Sequence, residues 1–246
     1  MTDLITENID IPVKLDNINL KGSIYFTSKT AQKAPFIVNL AGFMNHRENF
    51  LVKFFSDNFA KAGYYVLSYD YRGHGETQKE TGSRWDRMIS KIFSDIHVVI
   101  KWILETQSKR LLENKIALFG RSLGAAIILS QGYVDKRAKK LIALSTRYDY
   151  EQIKGMYKQV EEQEGEGIIR KISPKYFLKR DPKNNQRILI AHCKDDDRVP
   201  FENLHHIKEH LGLDDENVIE FDTGGHTFSD HREDIIKYSL KFLKKL

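Results

Sequence analysis

Five short apolar runs recur along the chain: FIVNLAG from Phe36, YYVLSYD from Tyr64, KIALFG from Lys115, KKLIALS from Lys139 and RILIAHC from Arg187. They are rich in Ile, Val, Leu and Tyr, and most are followed by a longer stretch whose apolar positions recur at helical spacing. The pattern predicts strands alternating with helices at about 48–62, 84–106, 123–133, 201–211 and 229–245. A further run, NVIEFD from Asn217, precedes the last helix. Strands that are apolar along their length, rather than alternating, belong to a parallel sheet covered on both faces. Two earlier segments, NIDIPVKLD and LKGSIYFTS, mix apolar and polar residues as the strands of a hairpin do. The expected fold class is therefore α/β, a doubly wound and mostly parallel sheet with an antiparallel beginning.

One segment interrupts the alternation. From Arg147 to about Asn185 the chain carries glycines, charges and aromatics over a length too great for an ordinary connection. Its apolar residues, among them Tyr148, Met156, Tyr157 and Tyr176, give it surface to pack on something, so it is expected to form a small, partly helical cap. The 246 residues otherwise fit one domain, 1–246, large enough to bury a core without disulfides.

Composition narrows the setting. A net charge of +5 invites a nucleic-acid reading, but the 39 basic residues are scattered among 34 acidic ones with no basic arm, so no nucleic-acid partner is expected. No apolar run approaches the ~20 residues of a membrane span, and the terminal IIKYSLKFLKKL reads as a helix docked on a core. The polar, acidic N-terminus and the lone Cys193 point to a reducing, cytoplasmic compartment. A homo-oligomer is left open.

The chemistry centres on GRSLG, Gly120 to Gly124, between an apolar run and a helical pattern. A strand that turns sharply into a helix strains its turn residue, and large side chains two positions either side would collide. Glycines there remove the collision and leave the Ser122 hydroxyl exposed at a strand end. A serine hydroxyl needs a base, and the base an orienting acid. HCKDDDRVP supplies aspartates after one strand, and GGHTF supplies His226 after the next. An oxyanion needs two N–H donors: Leu123 follows the serine, and Phe43 lies on the turn AGFMNHRENF, where Gly42 allows close backbone approach.

With these motifs on GRSLG, AGFMNHRENF, DYRGHGET, HCKDDDRVP and GGHTF, the chain resembles the α/β-hydrolase superfamily, in its branch of compact serine esterases, acylglycerol lipases and serine-aminopeptidase-like hydrolases. Such enzymes often carry His-Gly in the oxyanion turn, where this chain has Ala41 and Gly42. The resemblance implies Ser122 as nucleophile, His226 as base and Asp196, four residues before Pro200, as acid. It implies no cofactor and no metal, and gives DYRGHGET a structural part in which His74 has no catalytic role. The expected activity is hydrolysis of a small-molecule carboxylic ester, with short acyl chains or aryl acids preferred and Tyr148, Met156, Tyr157 and Tyr176 as pocket contacts. A thioesterase, a peptidase and a non-catalytic binder of the same fold are the alternatives.

Overall fold

The computed structural model describes residues 3–246, without the side chains of Lys154 and Met156. Among the described residues, eight strands form one sheet in the order β1-β2-β4-β3-β5-β6-β7-β8. Strands β1 (Leu4–Val13) and β2 (Ile18–Thr27) make the expected antiparallel hairpin, and β2 also runs antiparallel to β4 (Tyr65–Tyr69). The remaining pairings are parallel, linking β4, β3 (Ala34–Leu40), β5 (Leu111–Arg121), β6 (Ala138–Leu144), β7 (Ile188–Cys193) and β8 (Val218–Phe221).

Period two along each strand splits the core into two layers. In β5, Ile116 and Leu118 face one cluster while Ala117 and Phe119 face the other. The first cluster is covered by α3 (Ile89–Thr106), whose Ile89, Ile92, Phe93, Ile96, Val99, Ile100 and Ile103 form one buried stripe. The second is covered by α1 (Phe50–Lys61) and by α9 (Arg232–Leu243), the docked terminal helix. A sheet covered on both faces explains why its strands read as continuous apolar runs. No helix among the described residues is long and apolar enough to cross a membrane.

Three local departures have physical causes. DYRGHGET is more than a turn: helix α2 (Gly75–Thr81) begins inside it, with Asp70 accepting hydrogen bonds from the N–H groups of Arg47 (2.7 Å) and Glu76 (2.9 Å). The helix expected at 123–133 is α4 (Leu123–Ile127) continued by a wider π turn, Ile128–Gly132, where a side chain on Gly132 would strike Leu118 of β5. The stretch after β6 folds into a 3₁₀ turn at Tyr150–Ile153 and then α5 (Lys154–Glu164), α6 (Ile168–Ile172) and α7 (Asn184–Arg187). Its Tyr150, Tyr157, Val160, Ile168, Ile169 and Ile172 join the first core cluster, so these short helices are anchored by burial. Helix α8 (Glu202–Leu211) follows β7.

Candidate active site

The loops at the carboxyl ends of the parallel strands meet around a cavity of about 260 Å³. Phe43 and Asn45 reach it from the end of β3, and Arg121, Ser122 and Leu123 from the end of β5. Arg147 follows β6, Arg198 and Val199 follow β7, and His226 follows β8. Trp85, Tyr150, Ile153 and Tyr157 supply apolar wall on the remaining side.

Ser122 sits between β5 and α4 with φ 58° and ψ −117°, a conformation that is costly for any residue with a Cβ. The surroundings enforce it: the Ser122 N–H donates to the Leu144 carbonyl (2.9 Å), and its own carbonyl accepts from Thr146 Oγ1 (2.9 Å) and the Ala126 N–H (3.0 Å). The flanking glycines leave little room for a side chain, least of all at 124. A Cβ on Gly124 would lie 2.4 Å from the Leu40 carbonyl oxygen, and one on Gly120 would lie 3.0 Å from Leu40 and from the Gly124 backbone.

His226 rides a 3₁₀ turn, Gly225–Thr227, entered through Gly224 and Gly225 at φ 117° and 58°. Its Nδ1 lies 2.8 Å from Asp196 Oδ2. An ionised carboxylate only accepts, so Nδ1 carries the proton and Nε2 is left bare. Burial pushes the Asp196 carboxyl upward, but hydrogen bonds from His192, His226 and the Val199 N–H outweigh it and hold the group well below the usual carboxylate range. Burial pulls His226 below its ordinary value of 6.5; the bond to Asp196 opposes this, while nearby Arg121 adds to it. The imidazole is therefore neutral at pH 7.

The turn after β3 is held without a histidine at Ala41. Tyr71 donates its hydroxyl to the Ala41 carbonyl (2.8 Å), and the Asn45 N–H donates to the Gly42 carbonyl (3.1 Å). The Phe43 N–H has no acceptor among the described residues. That of Leu123, first residue of α4, has none within its helix. The Phe43 ring packs edge-on against Trp85 (4.8 Å between centroids) and His74 (5.7 Å).

Residues 31–180 match the family described as serine aminopeptidase, S33. The chain belongs to this family of α/β-hydrolases. Its fold is shared by Est1E from Butyrivibrio proteoclasticus with ferulic acid bound, at 18% identity and TM-score 0.75 over 96% of this chain and 99% of that one. The Pyrococcus furiosus esterase Pf2001 (19%, TM-score 0.70, 98% and 91%) and the α/β-hydrolase GrgF from Penicillium (18%, TM-score 0.72, 98% of each chain) share it as well. An Escherichia coli protein described as an uncharacterised 31.7 kDa product of the traX-finO intergenic region is 30% identical over 135 residues. That match spans 53% of this chain and 45% of the relative.

Among the expected pocket contacts, Tyr157 lines the cavity, and the side chain of Met156 lies outside the described residues. Two were misplaced. Tyr148 turns to α8, its hydroxyl 2.8 Å from His210 Nδ1 and its ring against His206, while Tyr176 is 42% exposed and donates to Glu151 (2.6 Å). Aromatic character alone carries no direction, and only the helix packing decides which way a ring points. Cys193 is buried behind the His226 loop, and burial pushes its thiol up to about 12, which removes it as a nucleophile.

The fold also brings in residues outside the expected site set. His192, buried in β7, lies 3.0 Å from both Asp196 Oδ2 and the Val199 carbonyl through Nε2. Both neighbours are acceptors, so Nε2–H bridges them and braces the carboxylate. Asp195 accepts from the N–H groups of Gly224 (3.1 Å) and Gly225 (2.8 Å), tethering the loop that carries His226. Arg121 packs under Gly42 and donates to the His226 carbonyl (3.2 Å), joining three loops. Its signal was present in GRSLG, as a charged residue at the end of an otherwise apolar strand.

Proposed function

We propose that the protein is a serine carboxylesterase acting on short-chain or aryl carboxylic esters through an acyl-enzyme on Ser122. The observation that carries this reading is the convergence on one cavity of a serine held at φ 58° and a histidine whose Nδ1–H is fixed by a buried aspartate. Ser122 Oγ attacks the ester carbonyl as His226 Nε2 takes its proton, and the N–H groups of Phe43 and Leu123 face the resulting oxyanion. Collapse of the tetrahedral adduct breaks the ester C–O bond, and His226 returns the proton to the departing alcohol. Water then attacks the acyl-serine with His226 again as base, releasing the acid and free enzyme. Asp196 keeps the imidazole in the required tautomer throughout and stabilises it when it is charged. Helices α5 and α6, with the turn before them, act in this reading as a cap that admits small acyl or aryl groups beside Trp85 and Tyr157.

The ferulic acid bound to the Est1E neighbour makes aryl esters a natural part of the substrate panel, and the aminopeptidase description of the family makes aminoacyl amides the second reading to be tried beside them. The test is labelling by a fluorophosphonate followed by intact-mass measurement, with turnover of p-nitrophenyl esters, thioesters and aminoacyl anilides measured in parallel. We expect one label per chain, absent in Ser122→Ala, and loss of ester turnover on the order of a millionfold in that variant. A folded, unlabelled wild-type protein would favour a non-catalytic binder. Turnover confined to anilides would favour a peptidase.

A further inference from the structure

We propose that the substrate carries a carboxylate in addition to the ester that reacts, and that Arg147 and Arg198, backed by Arg121, receive it in the cavity beside Ser122. The cavity wall holds these three guanidinium groups and no aspartate or glutamate. Among the described residues none of the three has an ion pair; Arg121 and Arg147 are half-buried and Arg198 is exposed, whereas the two fully buried arginines are matched. Arg47 pairs with Asp70 and Glu76, and Arg72 pairs with Asp95 (2.7 Å) and Asp16 (2.8 Å). Arg232, half-buried and without an ion pair, gives one N–H to the Thr227 carbonyl (3.3 Å), and Arg187, half-buried and without a carboxylate, gives its N–H groups to the carbonyls of Gly132, Tyr133, Asp135 and Ala138.

The cavity arginines are not used up in this way. Arg121 gives one N–H to the His226 carbonyl, Arg147 gives one to the Arg198 carbonyl (2.8 Å), and the Arg198 side chain makes no hydrogen bond among the described residues. Asp196 is the nearest candidate to neutralise them, but its oxygens are occupied by His192, His226 and the N–H groups of Arg198 and Val199. The result is a concentration of positive charge in a partly desolvated recess. Burial, and then the charge of Arg198, pull Arg121 down to about 10, which leaves it a cation at pH 7 that an incoming anion would stabilise. Planar guanidinium groups with free N–H forks match the two oxygens of a carboxylate. Phe43, Trp85, Ile153 and Tyr157 line the same recess and suit the carbon frame between the acid and the ester. The substrate class is thus a half-ester of a short dicarboxylic acid, or an ester whose alcohol bears a carboxylate.

The inference deepens the esterase reading, so its test includes a measurement that needs no turnover. Ser122→Ala protein is titrated with adipic acid monoanilide and with its neutral counterpart hexananilide, following tryptophan fluorescence. We expect the acid to bind at least about tenfold more tightly, with the advantage shrinking as salt is raised from about 50 to about 500 mM. Wild-type turnover is then compared for p-nitrophenyl hemiadipate against hexanoate, and for 4-carboxyphenyl against 4-carbamoylphenyl butyrate, after subtracting spontaneous rates. The first pair reports an acid on the acyl side and the second an acid on the alcohol side; kcat/KM is expected to favour the acid at least about tenfold in one of them. In Arg147→Gln/Arg198→Gln that ratio and the binding preference both fall towards one, and the double Lys variant recovers part of each. Equal binding of the two anilides, or ester ratios near one in both pairs, overturns the inference. A preference for the acid in binding, with no ester turned over at all, upholds the carboxylate site and overturns the esterase reading instead.

Discussion

At the scale of single residues, three consecutive aspartates hold three different positions. Asp196 is buried with both oxygens bonded, Asp195 is exposed and tethers the Gly224–Gly225 turn, and Asp197 is exposed. Asn at 196 presents a donor where His226 Nδ1–H needs an acceptor, so Asp196→Asn is expected to lower kcat by a thousandfold or more. Asp195→Asn keeps one acceptor for the turn and costs about tenfold or less, and Asp197→Asn costs less still. Steady-state kinetics on the three purified variants checks the order; equal losses would mean that spacing had misassigned the acid. The pH profile reports on His226. In the proposed mechanism a protonated imidazole cannot take the serine proton, so activity is expected to be lost as pH falls through its pKa. Burial and Arg121 place that pKa below 6.5 despite the bond to Asp196. The acid limb of kcat/KM is therefore expected to have its midpoint under 6.5, and a midpoint above 7 would contradict the environment described for His226.

At the scale of elements, the turn from β5 into α4 illustrates how a short motif is enforced by its neighbours. Gly124 faces the end of β3, where the Leu40 and Ala41 carbonyl oxygens leave no room for a methyl group. Backbone atoms do not step aside as a side chain does, so Gly124→Ala is expected to cost at least about 2 kcal/mol in urea unfolding and to displace Ser122 as well. Gly155 is the opposite case. It lies exposed in α5 with nothing within 4 Å of an added Cβ and needs no positive φ, so Gly155→Ala is expected to stabilise the protein by up to about 1 kcal/mol. If the two substitutions had the same sign, steric approach to β3 would not be the reason for the glycine after the serine.

At the scale of the molecule, the proposed reaction and its selectivity draw on different parts of the chain. Strand ends carry Ser122, Asp196 and His226, while the wall at Trp85, Tyr150, Ile153 and Tyr157 comes from the α2–α3 connection and the stretch before β7. That stretch is built into the main core, so replacing it by a linker would uncover Val160, Ile168, Ile169 and Ile172 and unfold more than the wall. A single truncation is the cleaner probe. A cavity of about 260 Å³ is expected to favour C2–C8 or aryl esters over C16 esters by at least about tenfold, at roughly 1 kcal/mol per methylene accommodated. Tyr157→Ala removes a ring from the wall and should shift the optimum toward longer chains. An unchanged profile, measured across p-nitrophenyl esters, would place the selectivity elsewhere.

The sheet was legible from the sequence because strands buried on both faces must be apolar throughout, and such runs stand out against a charged chain. The turn at Ser122 was legible for a related reason: a tight strand-to-helix turn crowds position 120 and excludes a side chain at 124, and crowding leaves a mark in residue type. Asp196 and His226 follow the ends of β7 and β8, in the order in which the motifs occur in the chain. What the sequence could not fix is direction across space. Tyr148, Tyr157 and Tyr176 are alike as letters, yet only Tyr157 meets the cavity, because the packing of α5, α6 and α8 sets where each ring points. His192, Arg121, Arg147 and Arg198 are ordinary residues in their own segments. They come together only when strands β5, β6 and β7 lie side by side, since parallel pairing gathers at one edge loops that are far apart in the chain.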